Sequence, residues 1–424
     1  MHHAGDTQRK KVVVVGGGFA GLEIIKQLSK YSEYDVLLVD RNNYNFFPPL
    51  LYQVAAGFME PSAISYPFRK ILRKYKTHFR MGQLEQILPE ENKIVLENGE
   101  VSYDLLILCT GSVSNFFGNE NVSELSMPMK TISDALTLRN SYLIRLERAS
   151  RTSDPVVRRK LLSYVIAGAG PTGVELSGIF AEMRRSILKK DYPELNPEDL
   201  GEIYLIDGQS SVLAPMSRNS QLYTYKKLKE LGVKIKLDTQ VKDFKDDVVY
   251  LSDGNTIASR NLIWTAGVTV ATAQGMEKED VGGGNRYLTN RFNKLLRYDN
   301  IFALGDNALI VGDPDYPKGH PQLAQPAIQQ ARNLGKNLGK TPDAWEEFSY
   351  SDKGSMAIIG RNKAVADIPK PKFFLKGFTA WFIWVFVHIM SLVNFTNRLH
   401  ALYNWTGYYF KEDQSFRMII RPRK

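Results

Sequence analysis

The stretch "KVVVVGGGFAGLE", Lys11–Glu23, decides the fold. Four consecutive valines, Val12–Val15, read as a buried strand and run directly into G-x-G-x-x-G at Gly16, Gly18 and Gly21, followed by an amphipathic helical pattern. This strand, turn and helix start suit the pyrophosphate of a dinucleotide. The glycines let backbone approach it, and the unsatisfied N–H groups of the helix N-terminus face the anion. "DVLLVD" then supplies a second strand ending in Asp40, nineteen residues after Gly21, where an acid takes ribose hydroxyls.

The same plan returns at "SYVIAGAGPTGVELSG", with Gly168, Gly170 and Gly173 after another apolar strand. Its acid is Asp207, closing "EIYLID", thirty-four residues after Gly173. The longer interval is expected to hold extra helix and loop within "RRSILKKDYPELNPEDLGE". Each copy continues to a hairpin signal, Asn98-Gly99 or Asp253-Gly254, and then to a short strand ending in glycine, "LLILCTG" at Gly111 and "NLIWTAG" at Gly267. One glycine cluster alone is also the mark of an ordinary tight loop. Two copies with acid, hairpin and closing glycine in the same order predict two related α/β domains, each a parallel sheet carrying an antiparallel insert, and hence one bound and one exchanging dinucleotide. Glu23 and Glu175 fall at matching places after the two motifs, where acids also simply favour a first helical turn.

Composition narrows the chemistry. A chain of 424 residues calls for two or three domains, and a mean hydropathy of −0.27 excludes a polytopic membrane protein. The single cysteine, Cys109, sits in an apolar run, so it is expected in the core and cannot form a redox pair within the chain. No His/Cys spacing suggests a metal. No apolar signal region precedes Val12, and a cytoplasmic compartment is expected. The net charge is +10, with nine Lys or Arg against two acids from Lys370 onward, alongside three of the five tryptophans. An anionic surface is therefore the expected partner. The basic residues interleave with apolar ones rather than lining a polar groove, which favours lipid over nucleic acid.

"NIFALGDNA", with Gly305 and Asp306, and "LAQPAIQQARNLGK", in which Gln325 and Gln329 share one helical face, carry a resemblance. The first resembles the motif by which glutathione-reductase-like two-dinucleotide flavoproteins return to their FAD domain. The second resembles the A-Q-x-A-x-Q signature of the type II NADH:quinone oxidoreductases, the non-pumping alternative NADH dehydrogenases. "NNYNFFPPLLYQVAAG" is similar to a further segment of that family. A lysine that some members place beyond the glutamine helix has no counterpart here.

The resemblance implies FAD on Gly16, Gly18, Phe19, Ala20, Gly21, Asp40, Arg41, Thr110, Gly111, Gly305, Asp306, Ala324 and Gln325. It implies NADH on Gly168, Gly170, Pro171, Thr172, Gly173, Glu175, Asp207, Ala266 and Gly267, and a quinone on Pro49, Leu50, Tyr52, Gln53, Gln325 and Gln329. Glu175 would position the nicotinamide, and Gln325 and Gln329 would orient the quinone carbonyls. Asp207, accepting from a ribose 2′-hydroxyl and repelling a 2′-phosphate, implies a preference for NADH over NADPH. The expected domains are FAD-binding (1–115 and 272–345), NADH-binding (116–271) and a C-terminal attachment domain (346–424). A homodimer follows from resemblance alone. A soluble FAD-dependent reductase of an electron-carrier protein and a non-enzymatic membrane redox sensor are the competing readings.

A soluble reductase has no need of "GFTAWFIWVFVHIMSLVNF", Gly377–Phe395. Its apolar core, Ala380 to Val393, is interrupted by few polar residues, His388 among them, and is short of the ~20 residues that span a bilayer by helix. A buried helix and a single span compete with a third reading, monotopic attachment to the cytoplasmic face of the inner (cell) membrane. In that reading Trp381, Trp384 and Trp405 sit at the headgroup boundary, and Lys370, Lys372, Lys376 and Arg398 meet anionic lipid.

Overall fold

A computed structural model of the chain describes residues 9–196, 200–411 and 416–420. The chain forms two compact units. The first comprises residues 1–46, 66–113 and 268–352, the second residues 47–65, 114–267 and 353–424.

In the first unit the valine strand is the centre of a five-stranded sheet. Its order is Ile301–Ala303, Leu105–Leu108, Lys10–Val15, Tyr34–Asp40, His78–Met81, and every pairing is parallel. Strands covered on both faces must be apolar throughout, and Val12, Val13, Val14, Leu106 and Ile107 are fully buried. One face packs on the helices Phe19–Leu28 and Ala324–Leu338 through Ile24, Ile25, Leu28, Ala331 and Leu334. The other packs on the antiparallel insert Leu84–Leu88, Lys93–Leu96, Gly99–Ser102. The hairpin read at Asn98-Gly99 closes the last two of these strands, and Leu96 pairs with Gly99.

The second unit repeats the plan. Its parallel sheet runs Met127–Pro128, Leu262–Trp264, Tyr164–Ala167, Ile203–Ile206, Val233–Lys236, with an insert at Val241–Lys245, Val248–Leu251 and Thr256–Ala258. The unusual interval before Asp207 has a plain cause. The helix after the second glycine motif spans Pro171–Asp191, 21 residues, whereas its counterpart Phe19–Leu28 has 10.

The long helix carries the C-terminal segment. The strand Ser355–Gly360 lies along the long helix so closely that a Cβ on Gly178 would stand 1.7 Å from the Ile359 carbonyl oxygen. Residues 353–424 therefore group with the second dinucleotide fold and do not stand as a third compact body. A three-stranded antiparallel sheet, Ser355–Gly360, Lys363–Ile368 and Phe373–Lys376, leads into the helices Gly377–Ser391 and Phe395–Lys411.

The packing of those helices corrects one expectation. Trp384 and Trp405 are 1% and 7% exposed, so neither can stand at a headgroup boundary. Trp384 stacks on His388 at 3.7 Å between centroids and meets Trp405 at 5.6 Å, while Trp405 Nε1 donates to Gln53 Oε1 at 2.5 Å. An indole N–H taken out of water needs a partner, and the amide of Gln53 is already buried beside it. The outward face is built from other residues: Phe378, Phe382, Phe386 and Met390, each four apart, and Phe395, Leu399 and Leu402 on the second helix. Arg398, expected to meet lipid, donates Nε to the Leu392 carbonyl at the turn between the helices. No described helix is long and apolar enough to cross a membrane.

Candidate active site

The two glycine motifs have the same geometry. Gly16 has φ +100° and Gly168 φ +103°, a region open to glycine but costly to other residues. A Cβ on Gly16 would meet the Cys109 carbonyl oxygen at 2.3 Å, and one on Gly168 the Thr265 carbonyl carbon at 2.7 Å. The third glycines hold helix against strand: a Cβ on Gly21 or Gly173 would stand 1.9 or 1.8 Å from the carbonyl oxygen of the first glycine. The middle glycines, Gly18 and Gly170, have nothing within 4 Å. That open space over a helix N-terminus is the cradle a pyrophosphate fits.

The acids match as closely. Asp40 accepts from the N–H of Gly17 at 2.7 Å and of Asn42 at 2.8 Å. Asp207 accepts from the N–H of Ala169 at 2.5 Å and of Gln209 at 2.7 Å. Each carboxylate is thus held at the end of the second strand by the glycine loop and by its own turn, so the thirty-four-residue interval leaves Asp207 where Asp40 stands in the first copy. Burial raises the pKa of Asp40, the two backbone N–H groups and Arg41 opposing it. Replacing Asp207 by alanine should cut the ratio of kcat/KM for NADH over NADPH by roughly tenfold, the effect of losing about one good hydrogen bond to the 2′-hydroxyl. An unchanged ratio would remove Asp207 from the specificity site.

Of the remaining residues proposed for FAD, Thr110 and Gly111 meet the Gly305-Asp306 turn at the ends of adjacent strands of the first unit. Gly111 N–H donates to Asn307 Oδ1 and Asn307 Nδ2 to Thr110 Oγ1, both at 2.8 Å, and Ser112 Oγ donates to Asp306 Oδ2 at 2.5 Å. The glutamine helix begins at Ala324, as its sequence indicates. Gln330, which the motif did not single out, is fully buried and accepts the Gly305 N–H at 2.6 Å. Its place on the face of Ala327 and Leu334 was the available signal. Gln329 spends its amide on the backbone of Ser351, donating at 2.8 Å and accepting at 3.0 Å. An interaction with quinone carbonyls would have to replace those bonds.

Pro49, Leu50, Tyr52 and Gln53 belong to the second unit, on the turn Pro48–Leu50 and the helix Leu51–Ala55. Leu50 is fully buried in the core. Tyr52 and Gln53 line a cavity of about 40 Å³ together with Glu175, Ile179, Trp381 and Trp405, room for one or two waters. Sequence reasoning missed Glu182, which lines the same cavity and accepts the Arg361 N–H at 2.7 Å. It lies two turns beyond Glu175 on one helix face.

Glu175 and Glu23, alike in sequence position, differ in environment. Glu23 pairs with Arg332 at 2.9 Å. Glu175 is 8% exposed with no ion pair among the described residues, and burial pushes its pKa up to about 8, the Ile358 N–H partly offsetting this. The carboxyl is therefore neutral at pH 7 and can donate a hydrogen bond. Because the folded state holds this proton up to about pH 8 and the unfolded state releases it near 4.5, folding stability falls as pH rises through that window. Between pH 5 and 8 the melting temperature should drop several degrees more in the native protein than in Glu175→Gln. Parallel melting curves would contradict the raised value.

A family model described as pyridine nucleotide-disulphide oxidoreductase matches residues 10–331, and one described as NDH2 C-terminal domain matches residues 353–412. The type II NADH:quinone oxidoreductase Ndh of Mycobacterium tuberculosis is 34% identical over 94% of this chain and 88% of its own, and NdhA of the same organism is 31% identical over 94% and 86%. The solved structure of NDH2 from Plasmodium falciparum in complex with NADH superposes with a TM-score of 0.87 at 21% identity, covering 97% of this chain and all of that one. Sharing a third of its residues with relatives over almost its full length, and both family models in order, the chain belongs to the type II NADH:quinone oxidoreductases.

Proposed function

We propose that the protein passes two electrons from NADH through FAD to a quinone at a membrane surface, moving electrons only and no net protons across the membrane. The observation that carries this reading is the pair of equivalent dinucleotide cradles, one per unit, with Asp40 and Asp207 held alike. The first would hold FAD through Gly16, Gly18, Gly21, Asp40 and the cluster of Thr110, Gly111 and Asp306. When bound, FAD supplies the two-electron relay that neither NADH nor quinone can bypass through this chain, whose one cysteine is buried.

The residues of the chain orient and exclude. The backbone N–H groups of Gly170, Thr172 and Gly173 would hold the NADH pyrophosphate, and Asp207 the ribose. On the acceptor side the resemblance puts Pro49, Leu50, Tyr52 and Gln53, while Glu175, whose neutral carboxyl lines the same small cavity as Tyr52 and Gln53, would position the nicotinamide. Gln325 and Gln329 enter this proposal through the family resemblance. The apolar face of Phe378, Phe382, Phe386 and Met390, beside Lys370, Lys372 and Lys376, supports attachment to an anionic lipid surface. The cytoplasmic face, where NADH is available, and a homodimer that doubles this footing complete the proposal.

Steady-state NADH oxidation by the purified holoenzyme tests it. Turnover is expected with a short-chain quinone alone. Turnover only in the presence of a small electron-carrier protein would make it a reductase of that carrier, and none with any acceptor would make it a redox sensor.

A further inference from the structure

Phe117 is held in an unfavourable conformation in the open. Its φ is +53°, in the left-handed region that a bulky aromatic residue rarely adopts, and it is 68% exposed. Neither burial nor packing in the core accounts for it, and strain of this kind persists only where neighbours impose it. Here they do so four ways. Asn115 N–H donates to the Gly267 carbonyl at 3.2 Å, Trp264 Nε1 donates to the Asn115 carbonyl at 2.8 Å, Phe117 N–H donates to Asn115 Oδ1 at 2.9 Å, and Asn119 N–H donates to the Phe116 carbonyl at 3.0 Å. The loop is thereby riveted to the strand Leu262–Trp264 and its closing glycine.

The result is a ring fixed over Gly267. A Cβ there would stand 2.9 Å from the Phe117 Cζ, and Trp264 meets the same ring edge-on at 6.4 Å. Gly267 follows Thr265 and Ala266, the residues that would touch a Cβ on Gly168 at the first turn of the dinucleotide cradle. The sheet order says which half of a dinucleotide reaches this rim. Asp207 ends the strand on one side of Tyr164–Ala167, and Leu262–Trp264 lies on the other. With the pyrophosphate between them and the adenine ribose on Asp207, the nicotinamide half extends toward Gly267 and Phe117.

We propose that the Phe117 ring is a wall of the NADH site, packing against the nicotinamide–ribose half of the bound dinucleotide. The strained loop presents a hard aromatic surface at the rim of the cradle, and Gly267 leaves the space in which ring and ligand meet. This deepens the assignment of Gly168–Gly173 and Asp207 to NADH and rests on it.

Titration calorimetry on the FAD-loaded enzyme tests the wall without turnover, using NAD⁺ and, as a ligand lacking nicotinamide, ADP-ribose. Phe117→Gly suits the backbone, since glycine adopts positive φ freely, and removes only the ring. It should weaken NAD⁺ binding by roughly 5- to 150-fold, the range set by losing one aromatic stacking partner, with ADP-ribose affinity changed by less than about twofold and the melting temperature not lowered. Phe117→Tyr should restore NAD⁺ affinity. An unchanged NAD⁺ affinity in Phe117→Gly overturns the proposal, and so does an equal loss for both ligands, which would mark the ring as a brace for the whole loop. If the native enzyme bound neither ligand, the NADH assignment itself would fail.

Discussion

Gly173→Val should abolish NADH oxidation, by at least about 100-fold, while the purified protein remains yellow with FAD. The Cβ of any residue at this position would lie 1.8 Å from the Gly168 carbonyl oxygen and 3.0 Å from Thr265 Oγ1. The Gly168 carbonyl belongs to the loop that would wrap the pyrophosphate, and backbone cannot rotate out of the way as the Thr265 side chain can. The helix start must shift by an ångström or more, and the N–H groups that would bind phosphate go with it. The equivalent change in the first copy, Gly21→Val, places a Cβ 1.9 Å from the Gly16 carbonyl oxygen and should give colourless protein. The pair of variants assigns the two cradles independently, by colour and by NADH binding. Loss of FAD from Gly173→Val with retention in Gly21→Val would reverse the assignment.

The second large effect concerns the outward face of the C-terminal helices. Phe382 and Phe386 are both 58% exposed, one turn apart on the helix Gly377–Ser391. Covering half of a phenylalanine is worth about 1 kcal/mol, and a carboxylate in its place also repels anionic headgroups. Phe382→Glu with Phe386→Glu should lower partitioning onto vesicles of mixed neutral and anionic lipid by at least about tenfold. FAD content and NADH-driven reduction of a water-soluble dye should stay near native levels. Substitution is a cleaner test than truncation from Phe373, because truncation also removes Trp381 and Trp405, which line the cavity beside Tyr52 and Gln53. Unchanged vesicle binding by the double variant would detach this face from the membrane reading.

What could be read from the chain was what is local. The strand, glycine turn and helix of each copy follow from neighbouring residues, and so do the hairpins and the start of the glutamine helix. Asp207 was legible in kind but displaced in spacing, since the helix Pro171–Asp191 has 21 residues against 10 in its counterpart, and the strand Ser355–Gly360 that packs on it lies far along the chain. The orientation of the apolar helix was not legible at all. A segment apolar on every side has no phase of its own. Tyr52 and Gln53, more than 300 residues earlier, determine that Trp384 and Trp405 turn inward and the phenylalanines outward. Glu175 presents the same limit: position suggested an ordinary helix-start acid, and only the fold shows that its carboxyl is buried with no ion pair among the described residues while Glu23 is paired.

The central claim is that one chain links two dinucleotide sites to a quinone. Anaerobic spectroscopy of the bound flavin addresses it most directly. One equivalent of NADH should bleach the visible flavin absorbance, and one equivalent of quinone, added with no NADH remaining, should restore it. A flavin that NADH does not bleach, or one that stays bleached until a protein carrier is supplied, would contradict the account.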